Sequence, residues 1–225
     1  VTWSEPKPCI TDKKGYFVLN NNRVIQLKNG RLLFAVDLYM ASPETAYHSG
    51  GLWSYYSDDN GRTWKSSPEV ANPDGVVVEE PAVMELKNGK IMMIARTKTG
   101  SQYICFSKNK GESWSPVIKS NINSPFSPAS VARIPSTGDL LLVWNDNGIN
   151  QKRTPLNIAI SRDEGKTWIK NKTLENDPDG WYCYTAIHFT GNYVLLGYCS
   201  TSLSKGTSHL TVTEINRVSL EWIYK

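Results

Sequence analysis

Ser161-Arg162-Asp163-Glu164-Gly165-Lys166-Thr167-Trp168 is the third copy of a box that sets the period of the chain. Residues 57–64, Ser-Asp-Asp-Asn-Gly-Arg-Thr-Trp, repeat its Ser-x-Asp-x-Gly-x-Thr-Trp pattern unchanged; residues 107–114, Ser-Lys-Asn-Lys-Gly-Glu-Ser-Trp, repeat it with Asn109 for the Asp and Ser113 for the Thr. The copies fall about 50 residues apart, the mark of a repeat architecture. Each box follows an alternating run (52–56, 103–106, 156–160) and leads into a short strand, so it reads as a hairpin turn. Asp59 and Asp163 accept hydrogen bonds from the backbone of their own turn, the glycine permits positive φ, and the Trp re-enters the apolar layer.

A second element alternates with the boxes. Leu27-Lys28-Asn29-Gly30-Arg31-Leu32, Leu86-Lys87-Asn88-Gly89-Lys90-Ile91, residues 134–140 and the weaker 189–193 are Gly turns between apolar, β-rich runs. Each repeat is then strand, Gly turn, strand, loop, strand, box, strand: a four-stranded antiparallel blade. The expected strands are 23–27, 32–38, 52–57 and 63–66; 82–86, 91–96, 102–107 and 113–118; 130–134, 140–144, 156–161 and 167–170; and 184–189, 193–198, 209–214 and 219–224. The last blade has no box. No helical period appears, so the fold class is all-β, a β-propeller of four four-stranded blades at about 16–68, 78–120, 126–172 and 180–225, forming one domain over 1–225.

Composition excludes several classes. With 225 residues, 40% of them hydrophobic, the chain can bury a full core. Lys and Arg number 25 against 21 Asp and Glu, a net charge of +4 too small and scattered for nucleic acid, though it mildly favours an anionic ligand. There is no apolar run long enough to span a membrane, and the missing signal peptide says little, because residues 1–6 look like the tail of another box. Cys9, Cys105, Cys183 and Cys199 form no CxxC and lack His at metal-ligand spacing, so no zinc and no cofactor is expected. Cys183 and Cys199 stand equally far from Gly191 and would face each other across a hairpin, with buried thiols as the expected state. Asn145-Asp146-Asn147 is one short acidic turn, weak as a calcium site. Asn171-Lys172-Thr173 is an acceptor sequon, meaningful only in a eukaryotic secretory route.

Topology sorts the loops. Gly turns and boxes share the bottom, while the loops joining second to third strands, and blade to blade, lie on top. The polar residues opening each first strand converge on the axis: Arg23, Glu79 and Glu80, Ser127, Tyr182 and Tyr184. Arg96, ending a second strand, and Arg153, before a third, join the same rim. Asp37 and His48 lie on the rim side of the first blade, where a solvated loop is the bland expectation.

The ordered series Glu80-Pro81-Ala82-Val83-Met84-Glu85-Leu86, Arg96, Arg153 and Tyr184-Thr185-Ala186-Ile187, together with the boxes, resembles the bacterial sialidase superfamily, six-bladed propellers with Asp boxes, and more closely the sialidase-like proteins carrying such repeats. The resemblance covers essentially the whole chain. It implies that Arg96 and Arg153 are two of three arginines gripping a sugar carboxylate, that Tyr184 is the nucleophile and Glu80 its partner base, with Glu79 and Tyr182 as competitors for those places. Arg23 is a candidate ligand contact from topology alone, or else neutralises Glu79 or Glu80. The family's first arginine and its aspartate acid/base belong to an N-terminal blade that these residues do not match, and Val1-Thr2-Trp3-Ser4-Glu5-Pro6 looks like the tail of another box. The expectation is therefore an N-terminally incomplete propeller, four blades of six, inactive by itself. In the longer protein it implies a retaining exo-hydrolase of a terminal anionic sugar, with an extracytoplasmic setting weakly favoured. The rival readings are a non-catalytic carbohydrate-binding or scaffolding propeller and a hydrolase of a different sugar.

Overall fold

The computed structural model describes residues 2–39, 50–202, 204 and 210–225. It is a β-propeller of four antiparallel sheets. The first contains β1 (Tyr16–Val18), β2 (Ile25–Gln26), β3 (Leu32–Tyr39), β4 (Leu52–Ser57) and β5 (Lys65–Ser66). The second contains β6 (Val78–Glu85), β7 (Ile91–Thr97), β8 (Ser101–Ser107) and β9 (Ile118–Asn123). The third contains β10 (Ser130–Arg133), β11 (Leu140–Asn145), β12 (Leu156–Ser161) and β13 (Ile169–Glu175). The fourth contains β14 (Gly180–Thr190), β15 (Tyr193–Ser202) and β16 (Thr213–Ser219), followed by the helix α1 (Leu220–Tyr224).

Strands buried on both faces explain the near-continuous apolar runs of β7, β11 and β12, whose residues are all buried. Alternate side chains enter different inter-blade cores. Leu33 and Ala35 pack with Val83, Ile91 and Met93 between the first and second blades. Met92 and Ile94 pack with Leu140, Leu142 and Trp144 between the second and third. Leu141, Ile158 and Ile160 pack with Val194, Leu196 and Tyr198 between the third and fourth.

Several segments depart from the sequence expectation, among them the outer strand of the third blade, at 169–175 instead of 167–170, and the third strand of the fourth blade, at 213–219 instead of 209–214. The first strand of the first blade is split: β1 pairs with residues 37–39 and β2 with residues 32–33 of β3, leaving residues 19–24 as an excursion on the inner edge. In the second blade the outermost strand lies at 118–123 instead of 113–118. The expected strand 219–224 is a one-turn helix, capped by the Ser219 hydroxyl accepting from Trp222 N–H, with Leu220 and Ile223 buried three residues apart. Cys183 and Cys199 do face each other in register, as thiols.

The box is a closed hydrogen-bond circuit. Asp163 Oδ1 accepts from Ser161 Oγ at 2.8 Å and from Thr167 N–H at 2.9 Å, Oδ2 accepts from Thr167 Oγ1 at 2.6 Å, and Ser161 Oγ accepts from Gly165 N–H at 2.8 Å. Asp59 builds the same circuit, and Asn109 a variant of it in which the side-chain bond is reversed, its Nδ2 donating to Ser113 Oγ at 2.9 Å. Accepting from Thr167 holds the Asp163 carboxyl down at about 2, although the group is on the surface. The residue before each box glycine also takes a left-handed φ: 57° at Asn60, 58° at Lys110 and 63° at Glu164.

The variable box positions tie the blades together on the face of the Gly turns. Arg31 donates to Asp58 at 2.7 and 2.8 Å and to Glu112 of the second box at 3.0 Å. Glu164 accepts from Arg133 at 2.8 Å and from Lys87 N–H at 2.6 Å. The Trp, by contrast, is only partly buried in all three boxes. Trp114 Nε1 donates to Ser54 Oγ at 2.9 Å, whereas Trp168 Nε1 finds no acceptor in the second blade. Full burial of the indole would imply a loss of about 3–5 kcal/mol on truncation. Half-buried and unpaired, Trp168→Ala is expected to cost about 1–3 kcal/mol, read as a lower urea midpoint at unchanged slope.

Candidate functional site

Two residues in unusual backbone conformations organise the axial site. Glu80 has φ 51° and Tyr184 φ 58°, both in the left-handed region. Each sits in a bulge of the innermost strand: pairing slips between Glu79 and Ala82 in β6 and between Cys183 and Ala186 in β14. Pro81 cannot donate to a ladder, so a bulge accommodates it. The bulges turn both side chains toward the axis, where Tyr184 Oη donates to Glu80 Oε1 at 3.1 Å. Both residues therefore lie inside long strands, β6 and β14, and do not open them as expected. Left-handed φ in non-glycine residues is strained, and here two such residues meet at one contact.

Arg96 closes the other side of the glutamates. Its Nη2 donates to Glu79 Oε2 at 2.7 Å and its Nη1 lies 3.0 Å from Glu80 Oε2; all three residues are under a tenth exposed. Burial alone would pull the guanidinium down, but Glu80 and Glu79 outweigh it and hold it up. The division between the glutamates is thus geometric: Glu80 faces both Tyr184 and Arg96, and Glu79 faces Arg96. Arg153, in the loop between β11 and β12, has its guanidinium 4.5 Å from the Trp181 ring and 5.5 Å from the Tyr184 ring. Its backbone carbonyl accepts from Tyr182 N–H at 3.0 Å, which ties the loop to the fourth blade.

Burial raises the Tyr184 phenol, Glu80 raises it further, and Arg153 and Arg96 pull it down; the net direction is upward. Tyr184 is therefore a neutral phenol with its proton aimed at a carboxylate. Tyr182, its competitor, is buried against Tyr198 with ring centroids 6.4 Å apart and belongs to the core.

Arg23 lies beneath these groups. It is 5% exposed, donates to the Ala129 carbonyl at 3.0 Å, and has an unpaired Nε. Burial lowers its guanidinium to about 10, offset in part by Glu80. That placement suits neutralisation of Glu80 better than ligand contact. The excursion that carries it also crosses the axis, with Asn21 donating to the Tyr184 carbonyl at 3.0 Å and Asn22 to the Ile187 carbonyl at 3.2 Å.

Asp37 is not on a solvated loop. It sits in β3 with no exposed surface, and neither carboxyl oxygen has a formed hydrogen bond. Burial raises it to about 7, with the backbone amides of Glu80 and Asp37 opposing and Glu79 and Glu80 adding to the rise. A folded-state value above the ordinary 3.8 means that the fold prefers the protonated acid. Stability from this source is complete below pH 4 and lost as pH rises through about 7. Asp37→Asn removes the penalty, so the variant should gain up to about 4 kcal/mol over the parent at pH 8 and nothing at pH 4, by urea unfolding at both.

His48 lies outside the described residues. Ser127 donates to Asn145 Oδ1 at 2.7 Å and belongs to the loop scaffold. The Asn145–Asn147 turn is committed internally: Asn145 also donates to the Pro155 carbonyl, Asn147 to the Thr154 carbonyl, and Asp146 accepts from Asn123 and Asn171. Among the described residues no cluster of three or more His, Cys, Asp or Glu is arranged to hold a metal ion. The sequence reading missed Phe126, whose ring stands 4.2 Å from the Arg96 guanidinium and 5.1 Å from Lys98 Nζ. Its only signal was an aromatic between Pro125 and Pro128 in a loop joining blades on the functional rim.

A propeller with Asp boxes on one face and, at its axis, a half-buried tyrosine bonded to a buried glutamate beside arginines defines the class as an Asp-box propeller. The chain belongs to the BNR repeat-like domain family, which matches residues 1–196. It is 30% identical to a sialidase from Micromonospora viridifaciens over 152 residues, 64% of this chain and 23% of that protein. Among solved structures it is similar to a protein of unknown function from Dyadobacter fermentans, with TM-score 0.66, 23% identity, and coverage of 81% of this chain and 50% of that one. It is also similar to the intramolecular trans-sialidase of Ruminococcus gnavus, with TM-score 0.66, 20% identity, and coverage of 89% and 43%. The chain thus spans about a quarter of the length of the curated relative and half or less of these two structures.

Proposed function

We propose that the full protein is a retaining exo-glycosidase of sialidase type, acting on a terminal sugar that carries a carboxylate. The observation that carries this reading is the hydrogen bond from Tyr184 to Glu80, both held in left-handed bulges and flanked by Arg96 and Arg153. Phenol chemistry suits an anionic substrate. A carboxylate nucleophile would meet the substrate's own carboxylate, whereas a phenol is neutral until a base takes its proton, and sialidases are the known exception to the two-carboxylate rule. Tyr184 Oη attacks the anomeric carbon as its proton passes to Glu80, giving a glycosyl-tyrosine. Water then displaces the tyrosine, which recovers its proton from Glu80, and two inversions amount to retention. Glu80 is occupied in accepting that proton, so a different acid must protonate the leaving oxygen in the first step, and its conjugate base takes the proton of the attacking water in the second. Arg96 and Arg153 grip the carboxylate through charge-assisted bonds, each contributing about 1.5–3 kcal/mol.

The second reading, a non-catalytic glycan-binding propeller, has one observation in its favour: Arg96 is already engaged by two carboxylates. Turnover of a fluorogenic sialoside by the full-length protein, with the anomer of the first product read by NMR, separates the two. Release of the α-sugar from an α-sialoside supports the proposal. Saturable glycan binding with no product, at protein concentrations near those of substrate, would leave only the binding module. Inhibition by a hexuronate but not by N-acetylneuraminic acid would redirect the assignment to another acidic sugar.

A further inference from the structure

Phe126 touches both arginines of the site. Its ring centroid lies 4.2 Å from the Arg96 guanidinium carbon, and its backbone carbonyl accepts from Arg153 Nη2 at 3.2 Å. The two arginines come from different blades, Arg96 from β7 and Arg153 from the loop after β11. The loop carrying Phe126, residues 124–128 between β9 and β10, is itself clamped from below. Buried Gln102 donates to the Ser127 carbonyl and to Ser124 Oγ, each at 2.8 Å. Ser127 Oγ donates to Asn145 Oδ1 at 2.7 Å, and Phe126 N–H donates to Gln151 Oε1 at 3.0 Å. Gln102, Ser124, Ser127 and Asn145 are all essentially without exposed surface. A fully bonded buried network of this kind rigidifies the segment it holds.

We propose that Phe126 is the positioning residue of the arginine clamp, fixing the orientation of Arg96 with its ring and of Arg153 with its carbonyl so that the two guanidinium groups address one carboxylate. The inference rests on the carboxylate-binding reading given above. A carboxylate is a planar acceptor, and two forks grip it only if their planes are set relative to each other before it arrives. The ring covers one side of the Arg96 guanidinium, shields it from water and leaves its N–H edges for Glu79, Glu80 and a ligand. Lys98, sharing the same ring at 5.1 Å, adds positive charge on the solvent side. Phe126 is only half buried, so the side chain is spent on a cation and not on the core.

The test is calorimetric titration of the full-length protein with 2-deoxy-2,3-dehydro-N-acetylneuraminic acid and with its carboxamide, which lacks the charge. The parent protein should favour the acid strongly. Phe126→Ala should weaken the acid about tenfold or more and leave the carboxamide where it was, because the ring orients the clamp and does not touch the sugar. Phe126→Tyr, keeping the π face, should restore the preference. Phe126→Leu, which fills the volume without a π face, should behave like the alanine variant, and it decides the matter if Phe126→Ala does not fold. A leucine variant with the parental acid preference would overturn the inference and reduce Phe126 to filler. A parent protein that fails to distinguish acid from carboxamide would sink the clamp reading itself.

Discussion

Tyr184→Phe is expected to lower kcat on a fluorogenic sialoside by at least about a thousandfold while leaving the fold intact, a barrier increase of about 4 kcal/mol. The substitution removes one oxygen. The ring still lies 5.5 Å from Arg153, and the carbonyl still accepts from Asn21, so the bulge and its packing have no reason to change. What disappears is the hydroxyl that donates to Glu80, worth about 1 kcal/mol of stability. The loss should therefore appear in kcat with KM nearly unchanged, since Arg96 and Arg153, the proposed clamp, are untouched. Turnover within tenfold of the parent would remove Tyr184 from the reaction.

Arg96→Ala should be the most destabilising single change at the site, by about 3–5 kcal/mol. Glu79 and Glu80 are 6% and 7% exposed, and Arg96 is the partner of both. Truncation leaves two buried carboxylates that interact with Asp37 as well, with Arg23 as an opposing charge on Glu80. Removing one of those charges as well should recover part of the loss, so Glu79→Gln combined with Arg96→Ala is expected to be more stable than Arg96→Ala alone. Urea unfolding of the four proteins of this cycle measures the coupling. A double variant no better than the single one would mean that the triad is held apart by water and not by the fold.

The residues of this site were legible in the sequence to different depths for physical reasons. The boxes were readable because each is self-contained: Ser161, Asp163, Gly165 and Thr167 satisfy one another within eight residues, so local sequence determines local structure. Strand order then brought Glu80, Arg96, Arg153 and Tyr184 to one rim. The bulges were not readable, because Glu80 and Tyr184 find their partners in other blades, Tyr184 with Glu80 and with Asn21, 163 residues away in sequence. The same is true of residues 19–24, which leave the sheet because Asn21, Asn22 and Arg23 find partners across the axis. In α1, Leu220 and Ile223 have a spacing that suits a helical turn, and five residues are too few for a period to declare itself. Asp37 looked like a rim residue because a carboxylate in the middle of a buried strand contradicts composition rules, and only burial with a raised proton affinity reconciles it. Phe126 had no pattern at all; its role comes from a loop held by buried Gln102 and Asn145 on two different strands.

The central claim is that Tyr184 attacks the sugar. It is tested most directly by treating the full-length protein with a 2,3-difluorosialic acid, which slows breakdown of a glycosyl-enzyme, and locating the adduct by peptide mass spectrometry. The account predicts one fluorosialyl group on the peptide containing Tyr184, absent from Tyr184→Phe and discharged slowly by water. Label on Glu80 or Glu79 instead, or unlabelled protein that still turns over sialoside, would contradict it.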